Sequence, residues 1–235
     1  MQVRCLLNQK QVAIKLDRFI LFYMEYLLIT QSAVSDDWME SPQRKRDVSR
    51  SRLLRAGVEM LCEQSYASMG VEHVLAKAGL SKGSFYHFFP SKQAFGLELI
   101  AQYAEYCNRK LDRYFSNQMQ SFSGRLKNYA DDAVSGIEKF EFRRGCLVGN
   151  LSQELAGTLE PFRSALNAAV VGWEDRVAAL LSQAKAQHEI SPDTNEAEAA
   201  QLFWSGWQGA LTRARMQRSA NPLVQFTHYF MRNLN

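Results

Sequence analysis

Residues 69–92, MGVEHVLAKAGLSKGSFYHFFPSK, constrain the fold of this chain more than any other stretch. Val71, Val74 and Leu75 fall on one side of a short helix, and a turn over residues 78–80 follows, with Gly79 inside it. Glycine suits that turn because it adopts positive φ without a Cβ clash. Ser81 is the expected N-cap of a second helix over residues 82–89. Phe85, Phe88 and Phe89 recur at helical spacing and give that helix a buried side. Its other side carries Lys82, Ser84, Tyr86 and His87, all basic or hydrogen-bonding. Two short helices joined by a glycine turn make a helix-turn-helix, whose second helix fits the DNA major groove. The same pattern also suits an ordinary helical hairpin inside a bundle, and the pattern alone leaves both open.

Charge and cysteine usage narrow the choice. The 235 residues carry a net charge of +4, with 46% hydrophobic residues, enough for one or two domains with a real core. The positive excess is concentrated: Arg44, Lys45, Arg46, Arg50, Arg52 and Arg55 gather just ahead of the motif. Such a run is commonly a solvated surface. Beside a helix-turn-helix, phosphate contact becomes the stronger reading, because neutralised phosphates release counterions, and Arg46 and Arg50 are its candidates. Cys5, Cys62, Cys107 and Cys146 lie far apart, with neither a CxxC pair nor the Cys/His spacing of a zinc site. Free thiols of this kind suit a reducing cytoplasm. A GxSxG elbow and a glycine-rich phosphate loop are also missing, and Cys146 has no His or carboxylate base near it in sequence. We therefore expect neither an enzyme nor a metal or cofactor.

The string at 78–95, AGLSKGSFYHFFPSKQAF, resembles the DNA-binding signature of TetR-family transcriptional regulators. The likeness includes the Phe-Tyr-His-Phe-Phe run and the Ser-Lys that opens the next helix. It extends from about residue 41 to the C-terminus and is specific over residues 49–99. It implies an all-α fold, an N-terminal three-helix helix-turn-helix domain followed by a helical ligand-binding and dimerisation domain. Matched position by position, it implies that Lys82, Gly83, Ser84, Tyr86 and His87 face DNA, with Lys82 the base-discriminating residue. Lys92, at the start of the next helix, is then a backbone contact. The resemblance further implies a homodimeric repressor on a palindromic double-stranded operator, released by a small-molecule effector, cytoplasmic and without a membrane partner.

A second resemblance concerns the regulatory half. Residues 142–154, FRRGCLVGNLSQE, with Trp173 and the later Trp204-Ser205-Gly206-Trp207, resemble the acrylate-responsive and N-ethylmaleimide-responsive branch of the same family. That implies control of genes that detoxify or assimilate reactive or small unsaturated compounds. Tyr103, Tyr106, Cys146, Asn150, Trp173 and Trp204 are the candidate pocket residues. Cys146 follows Gly145 at an expected helix N-terminus beside Arg143 and Arg144, where positive charge lowers a thiol pKa. A reactive thiolate and a small core residue are both open readings of it.

Residues 1–38 match nothing downstream. The apolar run at 19–29, FILFYMEYLLI, is too short for a bilayer, which needs about 20 residues, and lacks the features of a secretory signal. It reads as an extra helix, a membrane-surface anchor or translated upstream sequence. We expect the last, with Met39 as the native start and residues 1–40 as an extension. Domains are then expected at 41–92 and 93–235. Helices are expected at 47–65, with Leu54, Val58, Leu61 and Cys62 inward, and at 92–115, capped by Ser91 after the breaker Pro90. Others follow at 125–141, 146–156, 161–188, 196–218 and 222–235. In the last two, Phe203, Trp207 and Leu211, then Phe226 and Phe230, form apolar stripes. They are the expected dimer interface, the alternative being that both stripes face the chain's own core.

Overall fold

The computed structural model describes residues 42–234, so the expectations for residues 1–41, including the extension and Met39, lie outside the described residues. Among the described residues the chain is built from helices without strands. Helix α1 (Pro42–Glu63) buries Leu54, Leu61 and Cys62 of the expected inward face, with Val58 half-buried and Leu53 buried beside them. Gly57 lies where α1 crosses a later helix: a Cβ there would stand 2.6 Å from Phe95 Cζ and 2.7 Å from Leu99 Cδ1. Helix α2 (Val71–Ala78) turns Val74, Leu75 and Ala78 inward and ends at Gly79 in the left-handed region, φ 64° and ψ 44°. The Leu80 amide closes that turn on the Leu75 carbonyl at 3.0 Å.

Helix α3 (Gly83–Phe88) starts one residue later than its sequence suggests, and Ser81 does not cap it. Lys82 occupies the N-cap position with helical angles, and no side chain there accepts from the helix. Ser81 instead offers its carbonyl to the Ser84 amide, 3.0 Å away. Phe89, extended, and Pro90 end α3; Ser91 then accepts the Ala94 amide at 3.0 Å and caps helix α4 (Lys92–Phe115), as expected.

The C-terminal half comprises α5 (Phe122–Lys139), α6 (Leu147–Leu155), α7 (Glu160–Ala186), α8 (Glu196–Gln217) and α9 (Asn221–Arg232). Helix α7 packs on α4, α6 and α8, and α8 packs on α9. Leu111, Phe115, Trp173, Val177, Leu180, Phe203 and Trp207 make the core between them. Arg125 of α5 is fully buried, and its Nη1 donates to the Phe115 carbonyl at 3.0 Å and to Gln183 Oε1 at 2.8 Å. The guanidinium thus sits at the negative C-terminal end of α4, which offsets part of its burial cost.

Of the residues expected at a dimer interface, Phe203 is 0% exposed and Trp207 4% within a single chain and Phe230 is buried too, while Leu211 and Phe226 are half-buried. Phe203 packs on Phe226 and Phe230 and Trp207 on Phe226, and Gly206 lets the Phe226 ring lie directly on the α8 backbone. The large apolar side chains left outside on these helices are Leu202 and Met216 of α8 and Val224 and Tyr229 of α9. Among the described residues, no helix is long and apolar enough to cross a membrane.

Candidate functional site

The outer face of α3 owes its orientation to two phenylalanines. Phe85 and Phe89 are fully buried and meet Phe95 of α4 at ring-centroid distances of 5.0 and 4.7 Å. With that side anchored, the opposite side stands in solvent. Tyr86 is 62% exposed, and Lys82, Gly83 and His87 are exposed beside the half-buried Ser84. Nothing lies within 4 Å of where a Gly83 Cβ would stand, so this backbone is open to close approach. Lys82 Nζ meets Glu72 Oε1 at 2.6 Å, a bridge from α3 back to α2. The lysine holds the Glu72 carboxyl below the usual carboxylate range, and the carboxylate raises the lysine in turn.

The remaining basic candidates differ in what they touch. Arg46 is exposed on α1. Arg50 pairs with Glu98 of α4 and lies 5.5 Å over the Phe89 ring. Lys92 Nζ donates to the Tyr66 carbonyl at 2.7 Å and sits 4.4 Å over the Tyr66 ring, where burial lowers its pKa. Arg50 and Lys92 thus have partners within the chain, which no local pattern in the sequence shows.

The second group of candidate residues lies in the C-terminal half. Tyr103 is 6.2 Å from Tyr106 and 6.5 Å from Trp173, and Trp173 is 5.1 Å from Trp204, a continuous run of rings across α4, α7 and α8. Cys146 is buried at the N-cap of α6, and its Sγ accepts from the Gly149 amide at 3.4 Å and from Gln208 Nε2 at 3.3 Å. Tyr103 lies beside both Cys146 and Cys107, and Cys62 approaches the same point from α1, where its carbonyl accepts the Gly145 amide at 2.8 Å. Burial, reinforced by Cys146, pushes the Cys62 thiol up to about 12. Arg144, expected beside the Cys146 thiol, is engaged with Glu63 at 2.7 Å and Glu59 at 3.5 Å and stacks on Phe140.

Asn150 is held by backbone and arginine. Its Nδ2 donates to the carbonyls of Leu61 and Cys62 at 3.1 and 3.4 Å, and its Oδ1 accepts from Arg215 at 3.3 Å. An open cavity of about 330 Å³ lies elsewhere, lined by Phe122, Glu189, His228 and Arg232 among others. Glu154, Gln208 and Arg215 were not foreseen; their partners are distant in sequence, so spacing carries no trace of them.

Residues 53–99 match the family of bacterial regulatory proteins, tetR family, and residues 123–230 match the tetracyclin repressor-like C-terminal domain. The chain is 41% identical over 186 residues to the transcriptional regulator AcuR of Cereibacter sphaeroides, covering 79% of this chain and 85% of AcuR. It belongs to the TetR family. Like its relatives, this TetR-family protein is a DNA-binding transcriptional regulator and not an enzyme. It is also 29% identical to the HTH-type transcriptional repressor NemR of Escherichia coli over 179 residues, 74% of this chain and 88% of NemR. Among solved structures, the regulatory protein TetR from Rhodobacter sphaeroides superposes with a TM-score of 0.77 at 40% identity, over 80% of this chain and 100% of that one. The reduced form of Escherichia coli NemR superposes with a TM-score of 0.70 at 25% identity, over 79% and 96%. The helix-turn-helix reading and the all-α fold both hold against these relatives.

Proposed function

We propose that this TetR-family regulator is a homodimeric repressor that binds a palindromic operator and releases it on binding a small electrophilic or unsaturated effector. The observation that carries the DNA-contact assignment is the outer face of α3, anchored by Phe85 and Phe89 and open at Lys82, Gly83, Ser84, Tyr86 and His87. Lys82 exchanges the Glu72 carboxylate for a base edge, Gly83 admits the sugar-phosphate backbone closely, and Arg46 adds a phosphate contact. Arg50 must leave Glu98 to do the same, which makes it the weaker contact, whereas Lys92 keeps the Tyr66 carbonyl on one N–H and offers another to a phosphate.

Two α3 helices reach successive major grooves, about 34 Å apart, only in a two-fold dimer. Leu202 and Met216 of α8, with Val224 and Tyr229 of α9, supply its apolar surface. NemR is a repressor, which supports the same sign of control here. The ring run of Tyr103, Trp173 and Trp204, with Tyr106 and Cys146 beside it, is the effector region.

The test uses DNA selected from a random duplex library by the wild-type protein, titrated with acrylate and with N-ethylmaleimide. Lys82→Ala is expected to weaken binding about tenfold without loss of helicity, the cost of one good base contact. Unchanged affinity at physiological salt would remove Lys82 from the interface. Release of wild type but not Cys146→Ser by N-ethylmaleimide makes Cys146 the sensor. Release of both by acrylate makes the effector site non-covalent.

A further inference from the structure

Helix α6 presents one polar face to the DNA-reading half. Asn150 and Glu154 stand four residues apart, which aligns them along that face. What each meets is complementary in sign. The last carbonyls of α1 have no partner within their own helix; those of Leu61 and Cys62 accept from Asn150, and that of Cys62 also from the Gly145 amide. One turn further on, the chain leaving α1 offers donors instead. The Glu154 carboxylate accepts the amides of Tyr66 and Ala67, each at 2.7 Å, one on each oxygen. Charge-assisted bonds of this length are the strong class.

Tyr66 is held through its amide, its carbonyl and its ring. Its carbonyl takes the Lys92 ammonium at 2.7 Å, its ring lies 5.1 Å from Phe162 of α7, and Gly96 of α4 leaves space for both rings. Lys92 is the first residue of α4, directly after α3 and its terminator. The segment at 66–67 is therefore clamped between α6 and the base of the recognition helix. The N-cap of α6, Cys146, lies beside Tyr103 and the ring run.

We propose that Glu154 is a positioning residue for DNA binding: its carboxylate, through the Tyr66 and Ala67 amides and Lys92, fixes the direction in which α3 leaves the regulatory half. The inference rests on the DNA-binding dimer described above. A rigidly aimed α3 tolerates only one separation of operator half-sites, whereas a loosened one accepts several and binds each less well, because the competent orientation is less populated.

The experiment compares wild type with Glu154→Gln and Glu154→Ala on the selected duplex and on duplexes with one base pair inserted or removed between the half-sites. Wild type is expected to discriminate at least about tenfold against the altered spacings, an effect of the size that lost registry on one half-site produces. Both variants are expected to bind the selected duplex about tenfold more weakly and to lose most of that discrimination, with helicity and oligomeric state unchanged. Hydrogen exchange at the Tyr66 and Ala67 amides is expected to accelerate in both. Undiminished discrimination overturns the proposal, as does tighter binding, which would mean that the clamp holds the released arrangement. Uniform weakening at every spacing overturns it too, since that is the mark of a merely structural loss. If wild type binds no duplex at all, the dimeric DNA-binding reading fails separately, and unchanged exchange at the two amides then overturns the clamp on its own.

Discussion

At the level of single residues, periodicity shows which side chains point inward but not what they meet there. Cys62 follows from its i, i+4, i+7, i+8 series as a core residue, and it is one. Its convergence with Cys107 on Cys146 has no local signature, because three separate helices bring the thiols together. The consequence for pH is directional. Burial first, and Cys146 second, raise the Cys62 pKa from 9.0 to about 12. Folding favours the neutral thiol, so its contribution is complete below pH 9 and is lost as pH rises from 9 to 12. The urea midpoint of wild type should fall more steeply across that window than that of Cys62→Ala, and folded protein at pH 8 should leave Cys62 unalkylated. Lys82 illustrates another limit: its place on the open face was legible, but its engagement with Glu72 was not. Since that carboxylate competes with DNA for the lysine, Glu72→Gln should tighten duplex binding about threefold, an effect expected to fade at high salt.

Helices were the most legible scale, and their ends the least. Ser91 stands between a proline and a periodic apolar run, and its extended backbone, φ −155° and ψ 163°, lets its oxygen reach the Ala94 amide. Ser81 has the same chemistry and a similar position, but the residue at the N-cap of α3 is Lys82, already helical at φ −55° and ψ −37°. A six-residue helix held by Phe85 and its neighbours takes its start from packing and not from a cap. Ser91→Ala should therefore cost about 1 kcal/mol, read as a lower denaturation midpoint. Ser81→Ala should leave that midpoint unchanged.

For the whole molecule, an apolar stripe cannot by itself distinguish a core from an interface. Phe203 and Trp207 have the spacing of both, and they close the core, while the exposed Leu202 sits next to Phe203 in the chain. The two neighbours should separate cleanly on substitution. Leu202→Arg should shift sedimentation toward the monomer with helicity intact. Phe203→Ala should lose about 3–5 kcal/mol of stability, as large-to-small changes of buried aromatics do. The division between the DNA-reading and regulatory halves has a further consequence, set by α4. Its first turns put Phe95 and Leu99 against α1 and Phe95 against Phe85 of α3, and its last turn puts Phe115 against Tyr129 of α5. One rod is thus a structural part of both cores, so neither can melt while the other stays intact. Heat should unfold the protein in a single calorimetric transition, and a substitution deep in the regulatory core should lower the temperature at which α3 loses its shape.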